Sequence, residues 1–216
     1  MQKRPLIMNS AVNIRKAVPE DSAQLAEICK RSFPLSLRWQ AKRWLARQWW
    51  NAILYSEAVD TWVVEDGGKV TTVCVLVTNE PVWAKEKEIS KPSIMIGFLS
   101  VLCHPIVALY QAGQCLNTSL RHDRLVITSQ QLPDWWSHTE RLWLELIAVV
   151  PNMKGRGFAS MLLNHSIKKS KELGRRAIAL RVASENLAAK RLYEKHGFIR
   201  YQSDAEGDLY VKFINS

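Results

Sequence analysis

The chain has 216 residues, enough for one large domain or one domain with an inserted subregion. Hydrophobic residues make up 47% and charged ones 23%, which excludes a disordered or collagen-like protein. The net charge of +10 is uneven: residues 151–200 hold 12 basic against 3 acidic side chains, and residues 1–50 hold 10 against 3. Such basic blocks favour an anionic partner: a nucleotide, a nucleic acid or an anionic membrane surface.

The opening MQKRPLIMNSAV lacks the long apolar region of a signal peptide. Asn13–Val18 alternates like a strand, and the following PEDSAQLAEICKRSF reads as a helix with an acidic first turn matching its dipole. SLRWQAKRWLARQWWNAIL reads as a second helix. Ala41, Leu45, Trp49 and Ala52 share one face there, with Arg38, Lys42, Arg43 and Arg47 as a basic flank. Thr61–Thr78 holds two β-branched runs joined by Asp66-Gly67-Gly68, a hairpin signal.

Residues 79–140 break this rhythm and are expected to be an insertion in a single domain spanning 1–216. Their apolar run Ile94–Leu109 is shorter than the roughly 20 residues needed to span a bilayer and is interrupted by His104-Pro105. A buried helical insertion is therefore expected in place of a membrane anchor. The four cysteines, Cys29, Cys74, Cys103 and Cys115, form no CxxC pair and no zinc spacing with the five histidines, so no metal is expected. Reduced, buried thiols in a cytoplasmic protein are the plain reading.

The last third is a strand at Arg141–Val150, a glycine loop, a helix at Phe158–Leu173, a strand at Arg176–Ala183, and a helix ENLAAKRLYEKHG stopped by Gly197. FIRYQ and DLYVKFI close as two strands around Glu206-Gly207-Asp208. Strand–helix–strand–helix order implies a parallel strand pair at the centre of an α/β sheet.

The loop Lys154-Gly155-Arg156-Gly157 lies at a strand-to-helix junction. A helix start offers unpaired N–H groups and a partial positive charge, and glycines let the backbone approach a phosphate closely. It is neither a P-loop nor a Rossmann GxGxxG, and alone a tight turn explains it equally well.

Taken with ENLAAKRLYEKHGF some thirty residues later, LIAVVPNMKGRGFASMLL resembles the GNAT superfamily of N-acetyltransferases. The family loop (R/Q)xxGx(G/A) corresponds to Lys154 through Ala159, with Lys154 keeping a cation at the first place. Its later helix corresponds to Asn186, Tyr193 and Gly197-Phe198. The resemblance implies a mixed, mostly antiparallel sheet with a central parallel pair, flanking helices, and acetyl-CoA as co-substrate between the splayed fourth and fifth strands. The diphosphate would lie on the N–H groups of Lys154, Gly155, Arg156, Gly157, Phe158 and Ala159. The pantetheine would pair with backbone at Ile147, Ala148 and Val149. Independently of any family, Asn186 and Tyr193 are seven apart, so a helix places them on one face two turns apart.

In the family, a tyrosine at the place of Tyr193 protonates the departing thiolate; a core tyrosine is the alternative. Asn186 could serve as a helix cap as well as a ligand contact. Glu145, a lone carboxylate in LWLELIAV, is the candidate base. Histone-type members carry their glutamate where this chain has Trp143, two residues earlier and on the same strand face. A strand-edge carboxylate paired with a basic neighbour is the competing role, and water chains replace a single base in many members. His165 and His196 are expected on solvated helix surfaces.

The implied activity is acetyl transfer to a primary amine by direct attack in a ternary complex. The alternatives are a catalytically silent CoA-binding regulatory domain and a basic binder of nucleic acid or membrane surfaces. No recognised nucleic-acid motif is present, so neither nucleic acid nor membrane is the expected partner. Trp39, Trp44, Trp49 and Trp50 could wall an acceptor site, and the apolar insertion could form a homodimer surface. The acceptor amine is not legible.

Overall fold

Lys69–Val77 is a run of β-branched and apolar residues, and every one after Lys69 is buried, as a central strand covered on both faces requires. In the computed structural model it is the third of seven strands among the described residues: β1 (Asn13–Lys16), β2 (Val59–Asp66), β3 (Lys69–Val77), β4 (Arg141–Val149), β5 (Ala177–Val182), β6 (Ile199–Asp204) and β7 (Gly207–Phe213). The structure describes residues 12–33, 43–89, 136–204 and 207–214, without the side chains of 43–45 and 87–89. Trp39, the Trp44 side chain, the apolar run 94–109, Cys103 and Cys115 lie outside the described residues.

The sheet order is β1-β2-β3-β4-β5-β7-β6. All neighbours are antiparallel except β4 and β5, the expected parallel pair. The β2–β3 hairpin closes through Gly67 (φ 61) and Gly68 (φ 74), a two-residue turn that needs positive φ at both positions. The last hairpin turns one to two residues earlier than expected, because Gly207 and Asp208 already lie in β7.

Five helices of the described residues flank the sheet: α1 (Ser22–Ser32), α2 (Arg43–Tyr55), α3 (Glu80–Ile89), α4 (Phe158–Glu172) and α5 (Leu187–Lys195). Leu25, Ile28 and Cys29 of α1 and Trp50 and Ile53 of α2 pack on Val63, Val73 and Val75 of one sheet face. Leu162 and Leu163 of α4 and Tyr193 of α5 pack on Cys74, Leu76, Leu142 and Leu144 of the other. Burial pushes the Cys74 thiol up to about 12, so it stays protonated.

The buried stripe of α2 differs from expectation by one residue. Ala46, Trp50 and Ile53 are buried, Trp49 is half-buried and Ala52 is exposed. The sequence carries two apolar stripes offset by one, and the sheet takes the one that buries Trp50 completely. At the N-terminal edge, the Arg15 guanidinium donates to both Asp21 carboxylate oxygens (2.7 and 2.9 Å) and to Glu65 (2.6 Å), tying β1, the start of α1 and β2 together.

Candidate active site

The parallel pair is short. Its register runs only through Arg141–Ala177, Leu142–Ile178 and Trp143–Ala179. Beyond Trp143, β4 follows β3, with Ile147, Ala148 and Val149 opposite Cys74, Val73 and Thr72. Beyond Ala179, β5 follows β7 as far as Val182. The two strands therefore part as the chain approaches the glycine loop.

A bulge marks the parting. Val75 faces Leu146 and Leu76 faces Leu144, so Glu145 is an extra β4 residue without a β3 partner. The insertion shifts the alternation: Leu144 belongs to the α4 face, whereas Leu146 packs against the α1–α2 face. The Glu145 side chain is half-buried and accepts a hydrogen bond from Trp143 Nε1 at 3.2 Å. The two side chains thus meet, as their spacing predicts.

At the wide end of the parting, Pro151–Met153 forms a single 3₁₀ turn and the chain enters α4 through Gly155 (φ 81) and Gly157 (φ 84). Gly157 is the N-cap, in the left-handed region, and no side chain caps the helix. The first-turn N–H groups have no intrahelical acceptor and carry the positive end of the helix dipole. A Cβ on Gly155 or Gly157 would meet nothing within 4 Å, so their backbones border open space. Phe158 is buried and anchors the turn, while Lys154, Gly155, Arg156 and Gly157 are exposed and Ala159 is half-buried.

The Arg156 guanidinium pairs with Asp66 of the β2–β3 hairpin at 3.0 Å, donates to Met153 Sδ at 3.0 Å and lies over the Phe158 ring. Its side chain therefore holds the loop against the sheet. At the strand end of the site, the Val149 carbonyl accepts from Ser32 Oγ of α1 at 2.9 Å.

Asn186 is the N-cap of α5, accepting from the Ala189 N–H at 3.2 Å, so its capping role is observed. Its φ of −81° and ψ of 69° take it out of helical register with Tyr193. Asn186 is exposed, whereas Tyr193 is 4% exposed, packed beside Phe198 and Tyr210. Burial, reinforced by the nearby Cys74 thiol, raises the Tyr193 phenol above its usual range.

The contacts of three residues escaped the sequence. His196 and His165, expected on solvated helix surfaces, are half-buried and make specific contacts. His196 Nδ1 lies 3.0 Å from Asn164 Oδ1 and Nε2 lies 3.0 Å from Ser160 Oγ, clamping α5 to the opening of α4. Burial, with Lys195 and Lys212 nearby, lowers its pKa. The His165 ring packs at 4.1 Å on Trp62, and burial and Lys169 lower its pKa. Asp208, 1% exposed, pairs with Lys190 Nζ at 2.5 Å and accepts from Ser203 (2.5 Å) and Ser184 (3.2 Å), pinning α5 and the loop before it to β7. The partners are 18 or more residues apart, except for Ser203 and Asp208 across their hairpin, and only the fold brings them together.

A sheet that opens along its parallel pair, with a glycine-lined helix start at the open end, is what the resemblance to the GNAT superfamily implies. Residues 122–198 match the Acetyltransferase (GNAT) family. The chain is 34% identical over 77 residues to N-alpha-acetyltransferase 30 of Schizosaccharomyces pombe, a match covering 36% of this chain and 48% of that protein. The chain thus spans about half the length of the curated relative it matches. Among solved structures, it resembles an N-acetyltransferase from Staphylococcus aureus, with TM-score 0.59 and 16% identity over 95% of this chain and 100% of that one. It also resembles the PaiA N-acetyltransferase of Thermoplasma acidophilum in complex with coenzyme A, with TM-score 0.54 and 13% identity over 94% and 99%. At these identities the structures speak for the fold. The resemblance to the GNAT superfamily is borne out, in fold along nearly the whole chain and in sequence over 122–198.

Proposed function

We propose that the protein transfers an acetyl group from acetyl-CoA to a primary amine by direct attack in a ternary complex. The observation that carries this reading is the parting of β4 from β5 beyond Trp143, with the uncapped start of α4 at its wide end. N–H groups from Lys154 to Ala159 would receive the diphosphate, and the backbone of Ile147–Val149 on the side away from β3 would pair with the pantetheine as an added strand does. The Asn186 cap uses its carbonyl oxygen, which leaves its amide N–H groups as donors for the same ligand.

In this reading Glu145 takes a proton from the incoming ammonium, directly or through water. The amine nitrogen then forms a bond to the thioester carbonyl carbon, a backbone N–H at the open strand steadies the oxyanion, and the C–S bond breaks. The Tyr193 hydroxyl protonates the departing thiolate and is reprotonated from solvent, and the nitrogen loses its second proton to solvent to leave the neutral amide. The phenol's raised pKa keeps that proton in place until a thiolate forms, and the same apolar surroundings penalise the thiolate as well. The curated relative's name points to a peptide or protein N-terminus as the first acceptor to try.

Calorimetry with acetyl-CoA, followed by free-thiol detection against small amines, polyamines and peptides with free N-termini, tests the proposal. Saturable binding and amine-dependent thiol release are expected. Binding without release would leave a silent coenzyme-binding domain, and no binding would remove the reading altogether. Gly157→Ala should weaken acetyl-CoA binding about tenfold, because a left-handed Ala costs roughly 1–2 kcal/mol and relaxes by moving the amides it precedes. Unchanged affinity in the same titration would place the coenzyme elsewhere.

A further inference from the structure

We propose that the Ser160 hydroxyl is a further ligand of the coenzyme diphosphate and that His196 is its positioning residue: the imidazole takes up a proton as the anion binds and so releases the hydroxyl proton to it. The inference rests on the reading of the α4 start as the diphosphate site. Ser160 stands in the first turn of α4, behind the Gly157 N-cap. The Met161 N–H bonds the Gly157 carbonyl at 3.0 Å, which leaves the Ser160 amide among those without an intrahelical acceptor. A helical side chain leans toward the N-terminus, so this hydroxyl lies beside the open amides of its turn. It meets His196 Nε2 at 3.0 Å.

The other ring nitrogen decides which way that bond runs. His196 Nδ1 lies 3.0 Å from Asn164 Oδ1, a carbonyl oxygen that only accepts, so Nδ1 carries the proton of the neutral ring. Nε2 then holds a lone pair and accepts from Ser160, whose one hydroxyl proton is committed to the ring. A second proton on the ring reverses the bond: Nε2–H donates to Oγ, and the Ser160 O–H turns to another acceptor. Burial first, then Lys195 of α5 and Lys212 of β7, lower the His196 pKa, while α4 faces the ring with the uncharged Ser160 and Asn164. The ring is therefore neutral in the free protein at neutral pH. A diphosphate at the start of α4 offsets the two ammonium groups and accepts the released O–H in a charge-assisted hydrogen bond. Proton uptake and anion binding then favour each other by the same factor. His196 is also the C-cap of α5, where the negative end of the helix dipole favours a cation.

The test uses the full chain and dephospho-CoA, which keeps the diphosphate but lacks the phosphate that titrates near neutrality. Calorimetry at pH 7 in buffers of different ionisation heat should show proton uptake by the wild type and none by His196→Asn. Wild-type affinity should rise about tenfold from pH 8 to pH 6. Ser160→Ala should weaken binding about tenfold at pH 6, the scale of one hydrogen bond to a charged group, and little at pH 8, where the hydroxyl serves only the ring. Nitrogen chemical shifts of the His196 ring in the ligand-free protein should show the Nδ1–H tautomer. A Ser160→Ala loss equal at both pH values, binding without proton uptake, uptake that survives His196→Asn, or the Nε2–H tautomer would overturn the proposal alone. Failure of both CoA and dephospho-CoA to bind at any pH would remove the diphosphate reading and this proposal with it.

Discussion

Tyr193→Phe should lower kcat by about a hundredfold or more, the usual contribution of a positioned general acid, with little change in acetyl-CoA affinity. The substitution removes one oxygen and keeps the ring that packs on Phe198 and Tyr210, so the core around α5 is preserved. Because burial holds the phenol above its usual value of about 10, Tyr193 stays protonated across the working range. Its ionisation should therefore leave no alkaline limb in the rate profile below about pH 10. Steady-state kinetics by thiol detection, with calorimetry for the coenzyme, would check both statements. A variant within about threefold of wild type would reduce Tyr193 to a core residue.

Asp208→Ala should destabilise the fold by about 3 to 5 kcal/mol at neutral pH, as expected when one partner of a buried ion pair is removed. Lys190, with 13% of its side chain exposed, would lose the carboxylate it pairs with. Burial opposes the Asp208 charge, but hydrogen bonds from Lys190 and Ser203 outweigh it and hold the carboxyl below its ordinary value. A depressed folded-state pKa contributes stability above the unfolded value, near pH 4, and loses it as pH falls through the folded one. The gap between wild type and variant in urea denaturation should therefore be widest near pH 7 and narrow on acidification below about pH 4. A gap independent of pH would mean that volume, not charge, is what Asp208 contributes.

Much of the fold was legible because its signals are local. Gly67-Gly68, the loop of Gly155 and Gly157, and the Asn186 cap each act within a few residues, and strand–helix alternation then forces a parallel pair. What escaped depends on partners far along the chain. The bulge at Glu145 exists only against β3, and the buried stripe of α2 was decided by the sheet between two stripes one residue apart. Asp208 read as a turn residue, although its place in β7 opposite Val182 makes it the anchor of α5. The histidines looked like surface groups because the helix pattern does not reveal that α4 and α5 share one sheet face.

Only three residue pairs join β4 to β5, so the sheet is sutured at its middle by its shortest ladder. Under the proposed reading, a ligand strand inserted there extends the seam, and its binding free energy adds to the cohesion of the two halves in proportion to the logarithm of its concentration. The amides of Leu180–Val182 and Ile147–Val149 would then exchange with deuterium more slowly as acetyl-CoA is raised. The persistence of the folded molecule in a cell would in turn follow the supply of its own acyl donor.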